Sequence, residues 1–206
     1  HASYRRQRQM CIRDSLLITN ANVIDVASGK IQTNQSIAIR GDKIVAILSG
    51  ERQTADSTEV IDANGKFVIP GLWDMHTHYN WNYGYASPLL VANGVTGIRE
   101  MWGVIPTIET VRRLVAADSL IAPDVYTAGN IIDGKPQIWP GSAGVDNVEE
   151  AMAEIEKQVE SGVDFLKVYS RLKKDVYMAI AEKSRDLNVP FAGHIPGSVT
   201  IWEAME

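Results

Sequence analysis

The chain has 206 residues, a net charge of −5 and 45% hydrophobic residues, which is typical of a soluble globular protein with a sizeable core. The mild acidity argues against nucleic acid as a partner, and no apolar run is long enough to span a bilayer, so we expect no membrane partner. The single cysteine, Cys11, excludes a disulfide framework and a thiolate metal cage. This cysteine usage fits a cytoplasmic protein and equally an exported one.

The first fifteen residues show no periodicity that connects them to the rest of the chain. Residues 4–9 are polar and basic, and residues 10–15 (MCIRDS) resemble the translation of a sequencing adapter. We interpret residues 1–15 as a non-native or disordered leader and leave them out of the fold prediction. A natural disordered basic arm is the alternative.

Residues 16–68 contain short stretches of alternating apolar and polar residues separated by turn residues. Residues 36–40 and 43–48 flank Gly41 and Asp42, which is the signature of a β-hairpin. Similar strands are predicted at residues 16–18 and 23–26. This region therefore predicts a small β-rich domain.

From residue 67 onward, predicted strands alternate with predicted helices. The strands are predicted at residues 67–69, 95–101, 124–129, 163–169 and 189–193. Alternating strands and helices imply a parallel sheet with helices outside it, and buried parallel strands are near-continuous apolar runs, as these are. Open doubly wound sheets and (β/α)8 barrels share this pattern.

Three of the four histidines follow predicted strands. His76 and His78 can bind one ion together, because alternate residues of a strand point to one face. His194 follows a later strand, and Lys167 lies in an apolar strand, where burial disfavours its charged form. Residues at the ends of several strands converge at the C-terminal mouth of a barrel. The positions of these four residues therefore favour a barrel over an open sheet.

In these residues the chain resembles the amidohydrolase superfamily of metal-dependent hydrolases, and most of all its imidazolonepropionase-like and prolidase-like branch. The resemblance covers residues 16–206. Each of its motifs is weak by itself, and the combination is specific. The motifs are PGLWDMHTH at residues 70–78, GVTGIREM at 94–101, DFLKVYS at 164–170 and GHIP at 193–196.

The resemblance implies an α/β fold in which a small N-terminal β-sandwich, residues 16–68, precedes the first part of a (β/α)8 barrel, residues 69–206. About five of the eight barrel strands are then present. A further histidine ligand and the general-base aspartate are expected beyond residue 206. No catalytic residue is therefore assigned, and we expect the chain as given to be an inactive fragment.

The resemblance also implies two divalent metal ions, for which zinc suits the ligand types. His76 and His78 would hold the more buried ion, a carboxylated Lys167 would bridge both ions, and His194 would bind the second. The implied reaction is hydrolysis of an amide C–N bond through a metal-activated hydroxide. The substrate would be a cyclic amide or a short peptide. Whether the protein forms a homo-oligomer stays open.

Two aromatic residues are predicted to contact the substrate. Tyr169 lies two residues beyond Lys167 and should share its face of the strand. Trp139 lies in the loop of residues 137–142, which follows the third predicted barrel strand and could line the pocket.

Other functions stay open. A related deaminase uses one metal ion and does not need the bridging lysine. A catalytically inactive fragment, or a module that a partner chain completes, also fits the sequence. Lys167 could instead pair with Asp164, although a regular strand would point these two side chains to opposite faces.

Three further features have two interpretations each. Asp74 either supports a metal ligand or makes a local turn. Arg99 and Glu100 are better explained by a structural ion pair than by chemistry. The aromatic residues between positions 79 and 85 form either a packed loop or a substrate lid.

Overall fold

The computed structural model describes residues 15–50 and 58–205. The chain divides into two units, His1–Pro70 and Gly71–Glu206. Apart from Ser15, the predicted leader lies outside the described residues.

The first unit contains one five-stranded sheet. Its strands are β1 (Ser15–Asp25), β2 (Lys30–Arg40), β3 (Lys43–Ser49), β4 (Glu59–Asp62) and β5 (Phe67–Val68). The order is β3-β2-β1-β4; β1, β2 and β3 are antiparallel neighbours, whereas β4 and β5 both pair with β1 in parallel. The predicted hairpin is confirmed as β2 and β3, which join at a turn where Gly41 has a φ of 59°.

Two of the predicted strands form a single strand. Residues 16–18 and most of residues 23–26 belong to β1, whose pairing with β2 shifts register between Ile18 and Val23. Asn20 lies in this stretch with a φ of 52°, a left-handed conformation that asparagine tolerates better than most residues. The strand therefore bends without ending. The described part of this unit forms one sheet, and the second layer of a sandwich stays a prediction.

The second unit alternates strands and helices. Its strands are β6 (Leu72–Thr77), β7 (Val95–Glu100), β8 (Asp124–Gly134), β9 (Ala143–Val145), β10 (Phe165–Val168) and β11 (Phe191–Gly193). Its helices are α1 (Tyr83–Ala92), α2 (Ile105–Ala116), α3 (Val148–Glu160), α4 (Lys174–Leu187) and α5 (Ile201–Ala204). No helix in the described chain combines the length and the apolar character needed to cross a membrane.

All strand pairings in this second sheet are parallel. The order is β11-β10-β8-β7-β6, and β9 pairs with β8. The predicted α/β class with a parallel sheet is confirmed, and the sheet curls as half of a barrel does.

The strand that carries the histidine pair begins later than predicted. Phe67 and Val68 pair with β1 in the first sheet, and β6 begins at Leu72. Pro70 lies between the two strands and has no N–H to donate to a β-ladder. Pro70 thus separates β5 from β6, whereas the sequence pattern led from residues 67–69 directly into the histidine pair.

The largest core cluster of the second unit packs α3 and α4 against the sheet. Ile155 of α3, Ile180 of α4 and Leu166 of β10 are fully buried in it. Asn147 directly precedes helix α3 as its N-cap, and its side chain accepts a hydrogen bond from the Glu150 N–H, which is favourable at this position. This core fixes β10 from behind, so the strand end that carries Lys167 and Tyr169 is rigidly supported.

We expect Ile155→Ala to lower the free energy of unfolding by about 2–5 kcal/mol, because the substitution leaves a cavity in a packed core. Ile121 is 69% exposed, so Ile121→Ala should change the free energy by less than about 0.5 kcal/mol. Urea unfolding followed by circular dichroism measures both. Equal effects of the two substitutions would contradict the assigned core.

Candidate metal centre

One cavity of about 370 Å³ lies among the strand ends of the second unit. Its walls come from β6, β8 and β10 and from the segments after β6, β7, β8, β10 and β11. They are formed by His76, His78, Trp81, Trp102, Ile131, Trp139, Lys167, Tyr169 and His194. The structure therefore brings together the four predicted metal ligands and the two predicted substrate contacts.

Strand β6 directs His76 and His78 toward the same cavity. Their ring centroids are 5.4 Å apart and the rings are inclined by 74°. Burial lowers the pKa of both imidazoles, and for His78 the neighbouring His76 lowers it further. The neutral imidazole is thereby favoured, which is the form that binds a metal ion.

Asp74 has a local role. Its carboxylate accepts a hydrogen bond from the backbone N–H of His76 at 3.1 Å. Of the two interpretations left open by the sequence, the structure shows a local contact of Asp74 to the backbone two residues further along β6.

Lys167 is 2% exposed in the middle of the sheet. It pairs with Ile131 of β8 and Ala192 of β11, and its Nζ lies 5.7 Å from the ring centroid of Tyr169. Burial is the main cause that lowers the pKa of its amine, and the positive charge of Arg99 adds to it. The strand therefore makes the neutral amine easier to reach than in a solvated lysine.

The alternative partner of Lys167 is occupied elsewhere. Asp164 accepts a hydrogen bond from the Thr127 N–H at 2.8 Å and lies 3.2 Å from Nη2 of Arg112. The alternative interpretation, in which Lys167 pairs with Asp164, is therefore wrong. The strand points the two side chains to opposite faces.

His194 is positioned by a close approach of two strands. Gly193 has a φ of 149°, and a Cβ atom there would lie 2.0 Å from the carbonyl oxygen of Val168, so only glycine fits this approach. The His194 ring then stacks on Tyr169 with centroids 4.1 Å apart. Its Nδ1 lies 2.9 Å from Oγ of Ser170, which leaves Nε2 available to a ligand. Burial lowers the pKa of His194 as well.

Trp139 and Tyr169 are hydrogen-bonded to each other. The indole N–H of Trp139 donates to the phenol oxygen of Tyr169 at 2.9 Å. This bond joins the loop after β8 to the end of β10. Tyr169 also lines the cavity with Lys167, as the two-residue spacing predicts.

The sequence prediction missed the role of Glu100. Its fully buried carboxylate accepts hydrogen bonds from the backbone N–H groups of Tyr79 and Trp102 and lies 3.8 Å from Nδ1 of His78. Burial raises the pKa of Glu100 to about 7. The sequence feature that could have indicated this role is the position of Glu100, an acidic residue at the end of a predicted strand in the motif at residues 94–101.

The predicted ion pair of Arg99 with Glu100 is wrong. Consecutive residues of a strand point to opposite faces, and Nε of Arg99 donates instead to the carbonyl of Met75 at 2.7 Å. The guanidinium also lies over the Phe165 ring, 5.7 Å from its centroid.

Asp133 was missed as well. Its fully buried carboxylate accepts hydrogen bonds from the backbone N–H groups of Gly134, Ile138 and Arg171, at 2.9, 2.9 and 2.7 Å. It thereby ties the loop that carries Trp139 to the segment after β10. The available signal was again an acidic residue that follows an apolar run.

The aromatic residues after the histidine pair divide between the two interpretations. Tyr79 is buried and its hydroxyl hydrogen-bonds with Ser87, and Tyr83 and Tyr85 belong to α1. Tyr79 and Tyr83 pack in one core cluster, whereas Tyr85 is exposed. Trp81, by contrast, is 70% exposed and lines the cavity.

The donor set fits a metal ion once Lys167 is modified. Within residues 15–50 and 58–205, no three histidine, cysteine, aspartate or glutamate side chains are grouped closely enough to hold a metal ion. The cavity nevertheless carries three imidazoles favoured in the neutral form beside a buried amine. Imidazole and carboxylate oxygen are zinc ligands, and a carboxylated amine supplies the oxygens.

No protein-family model matches the chain. Among curated proteins it is similar to the dihydroorotase of Carboxydothermus hydrogenoformans, with 39% identity over 94 residues that cover 42% of this chain and 21% of that enzyme. The dihydroorotase of Streptococcus thermophilus is 28% identical over 194 residues, which cover 84% of this chain and 43% of that enzyme. The chain spans less than half the length of these relatives.

Among solved structures, the fold is similar to that of a putative prolidase from Bifidobacterium longum. The TM-score is 0.78 at 21% identity, and the match covers 91% of this chain and 51% of that one. The half-barrel of the second unit agrees with this likeness in fold. In sequence and in fold the chain is thus similar to proteins of the amidohydrolase superfamily.

Proposed function

We propose that the protein hydrolyses the amide C–N bond of a cyclic amide or a short peptide with two divalent metal ions, zinc by ligand type. His76, His78, Lys167 and His194 would hold the ions. The observation that carries this proposal is the convergence of these four side chains, from three separate strands, on one cavity. Their neutral forms are favoured by burial, as metal ligands require.

Two bound ions would supply an activated water and a Lewis acid for the amide carbonyl. The chain itself prepares Lys167 for this role. The neutral amine of Lys167 can attack the carbon of carbon dioxide and lose one proton, which gives a carbamate whose two oxygens share one negative charge. Burial at 2% exposure makes the neutral amine accessible by lowering its pKa.

Residues behind the ligands would fix their orientation. Ser170 holds Nδ1 of His194, and the Glu100 carboxylate lies beside Nδ1 of His78. Such partners set which ring nitrogen faces the ion. Asp133 would act one step further back, since it holds the backbone of Arg171 next to Ser170.

Metal stoichiometry distinguishes this proposal from a deaminase. We expect the chelator-stripped chain to bind about two zinc ions, because the ligand set is that of a two-metal site, and we expect His76→Ala to weaken the binding of at least one. Calorimetric titration with zinc chloride and elemental analysis measure both. Binding of one ion that Lys167→Ala leaves unchanged would favour the deaminase.

Carboxylation of Lys167 can be observed directly. In zinc-loaded protein prepared with ¹³C-bicarbonate, we expect a carbamate carbon signal in the NMR spectrum that Lys167→Ala removes. Lys157 has a side chain that is 74% exposed, so Lys157→Ala is the matched control and should keep the signal. A signal that survives in Lys167→Ala would assign the modification elsewhere.

Catalysis should depend on the same residues. In any preparation that turns over a dipeptide or a cyclic amide, we expect His76→Ala to lower kcat/KM by more than about 100-fold, since even partners behind metal ligands contribute 10–100-fold. Chelation should abolish turnover, and added zinc should restore it. Full activity after both treatments would refute the proposal.

A further inference from the structure

We propose that one wall of the cavity binds an apolar, aromatic group of the substrate; this inference rests on the proposed function. The wall, which we call the aromatic wall, consists of Trp81, Trp102, Trp139 and Tyr169. Ile131 adds an aliphatic surface beside it.

The polar atoms of the aromatic wall are largely engaged within the protein. The indole N–H of Trp102 donates to Oδ1 of Asn130 at 3.3 Å, and that of Trp139 donates to the Tyr169 hydroxyl at 2.9 Å. Because both indole N–H groups are already hydrogen-bonded, Trp102 and Trp139 can contact a ligand mainly through their ring faces. Aromatic faces and edges prefer other rings in offset or edge-on contact.

The aromatic wall also offers no charged side chain that could pair with an ionised group of the substrate. Lys167 is the one residue of ordinarily charged type among the nine described residues that line the cavity, and it belongs to the metal set. The nearby cation Arg99 is directed at the Met75 carbonyl and the Phe165 ring. A substrate carboxylate at the aromatic wall would therefore lose water without gaining a cation.

The aromatic wall is held in place before any ligand arrives. Trp139 is 49% exposed, yet its ring is fixed by the hydrogen bond to Tyr169, and its loop is fixed by the Asp133 carboxylate at the Ile138 N–H. A ligand thus covers exposed ring surface without having to order the loop, which favours binding.

The aromatic wall adjoins the metal residues directly. Tyr169 stacks on His194 at a centroid distance of 4.1 Å. A ring bound against Trp139 and Tyr169 would hold a neighbouring amide bond next to the imidazoles. The structure therefore assigns neutral aromatic amides as the preferred substrate class.

Two hydroxamates test this assignment by binding. Benzohydroxamate and acetohydroxamate share the metal-binding head group and differ in the ring. On the zinc-loaded chain, calorimetry should show benzohydroxamate binding about tenfold or more tighter, as expected for burial of one ring. Trp139→Ala should reduce the ratio toward one, and Trp139→Phe, which keeps a ring and loses the N–H, should retain most of it.

The outcomes separate the two proposals. Zinc and acetohydroxamate binding without an advantage for the ring would overturn the aromatic wall and leave the metal site standing. Absence of zinc binding would overturn the proposed function, and this inference with it. Trp81→Ala is a second variant at an exposed position, and it should lower the ratio even where Trp139→Ala fails to fold. An unchanged ratio in every folded variant would also refute the inference.

Discussion

The buried amine of Lys167 is the constraint on which the rest of the site depends. A charged ammonium in this strand would need a carboxylate partner, and the acid nearest in sequence, Asp164, is bound to Thr127 and Arg112. The amine instead lies 5.7 Å from the centroid of the Tyr169 ring, with the positive charge of Arg99 acting on it. Strand β10, which carries Lys167, lies between β8 and β11. These two strands and the loops that follow them therefore surround the place where the amine could react.

Two other buried acids explain how the loops around Lys167 keep their shape. Glu100 and Asp133 each end an apolar strand, and each accepts hydrogen bonds from backbone N–H groups of separate segments. Hydrogen bonds from N–H groups to a carboxylate are stronger than those to neutral acceptors. The two side chains therefore tie separate segments together, Glu100 beside His78 and Asp133 at the loop of Trp139.

The sequence predicts what depends on local periodicity. The two-residue spacing placed His76 with His78 and Lys167 with Tyr169, and the alternation of strands and helices predicted the parallel sheet. It could not predict contacts that depend on register between distant segments. Trp139 and Tyr169 are 30 residues apart, and the pairing of β8 with β10 shifts register between Phe165 and Lys167. A local pattern carries no information on such a shift. For the same reason the sequence predicted two strands where the structure has the single strand β1, whose pairing with β2 also shifts register.

Tyr169 couples metal binding to substrate recognition. Its ring supports His194, its hydroxyl holds Trp139, and its face belongs to the aromatic wall. Substitutions at residues that share a partner are not additive, so changes at Trp139 and Tyr169 should affect each other and reach the metal through His194. Trp81 lines the same cavity from the loop after β6, and none of the Tyr169 contacts described above involves it. The recognition of the substrate ring can therefore be altered at Trp81 with less effect on the imidazole that Tyr169 supports.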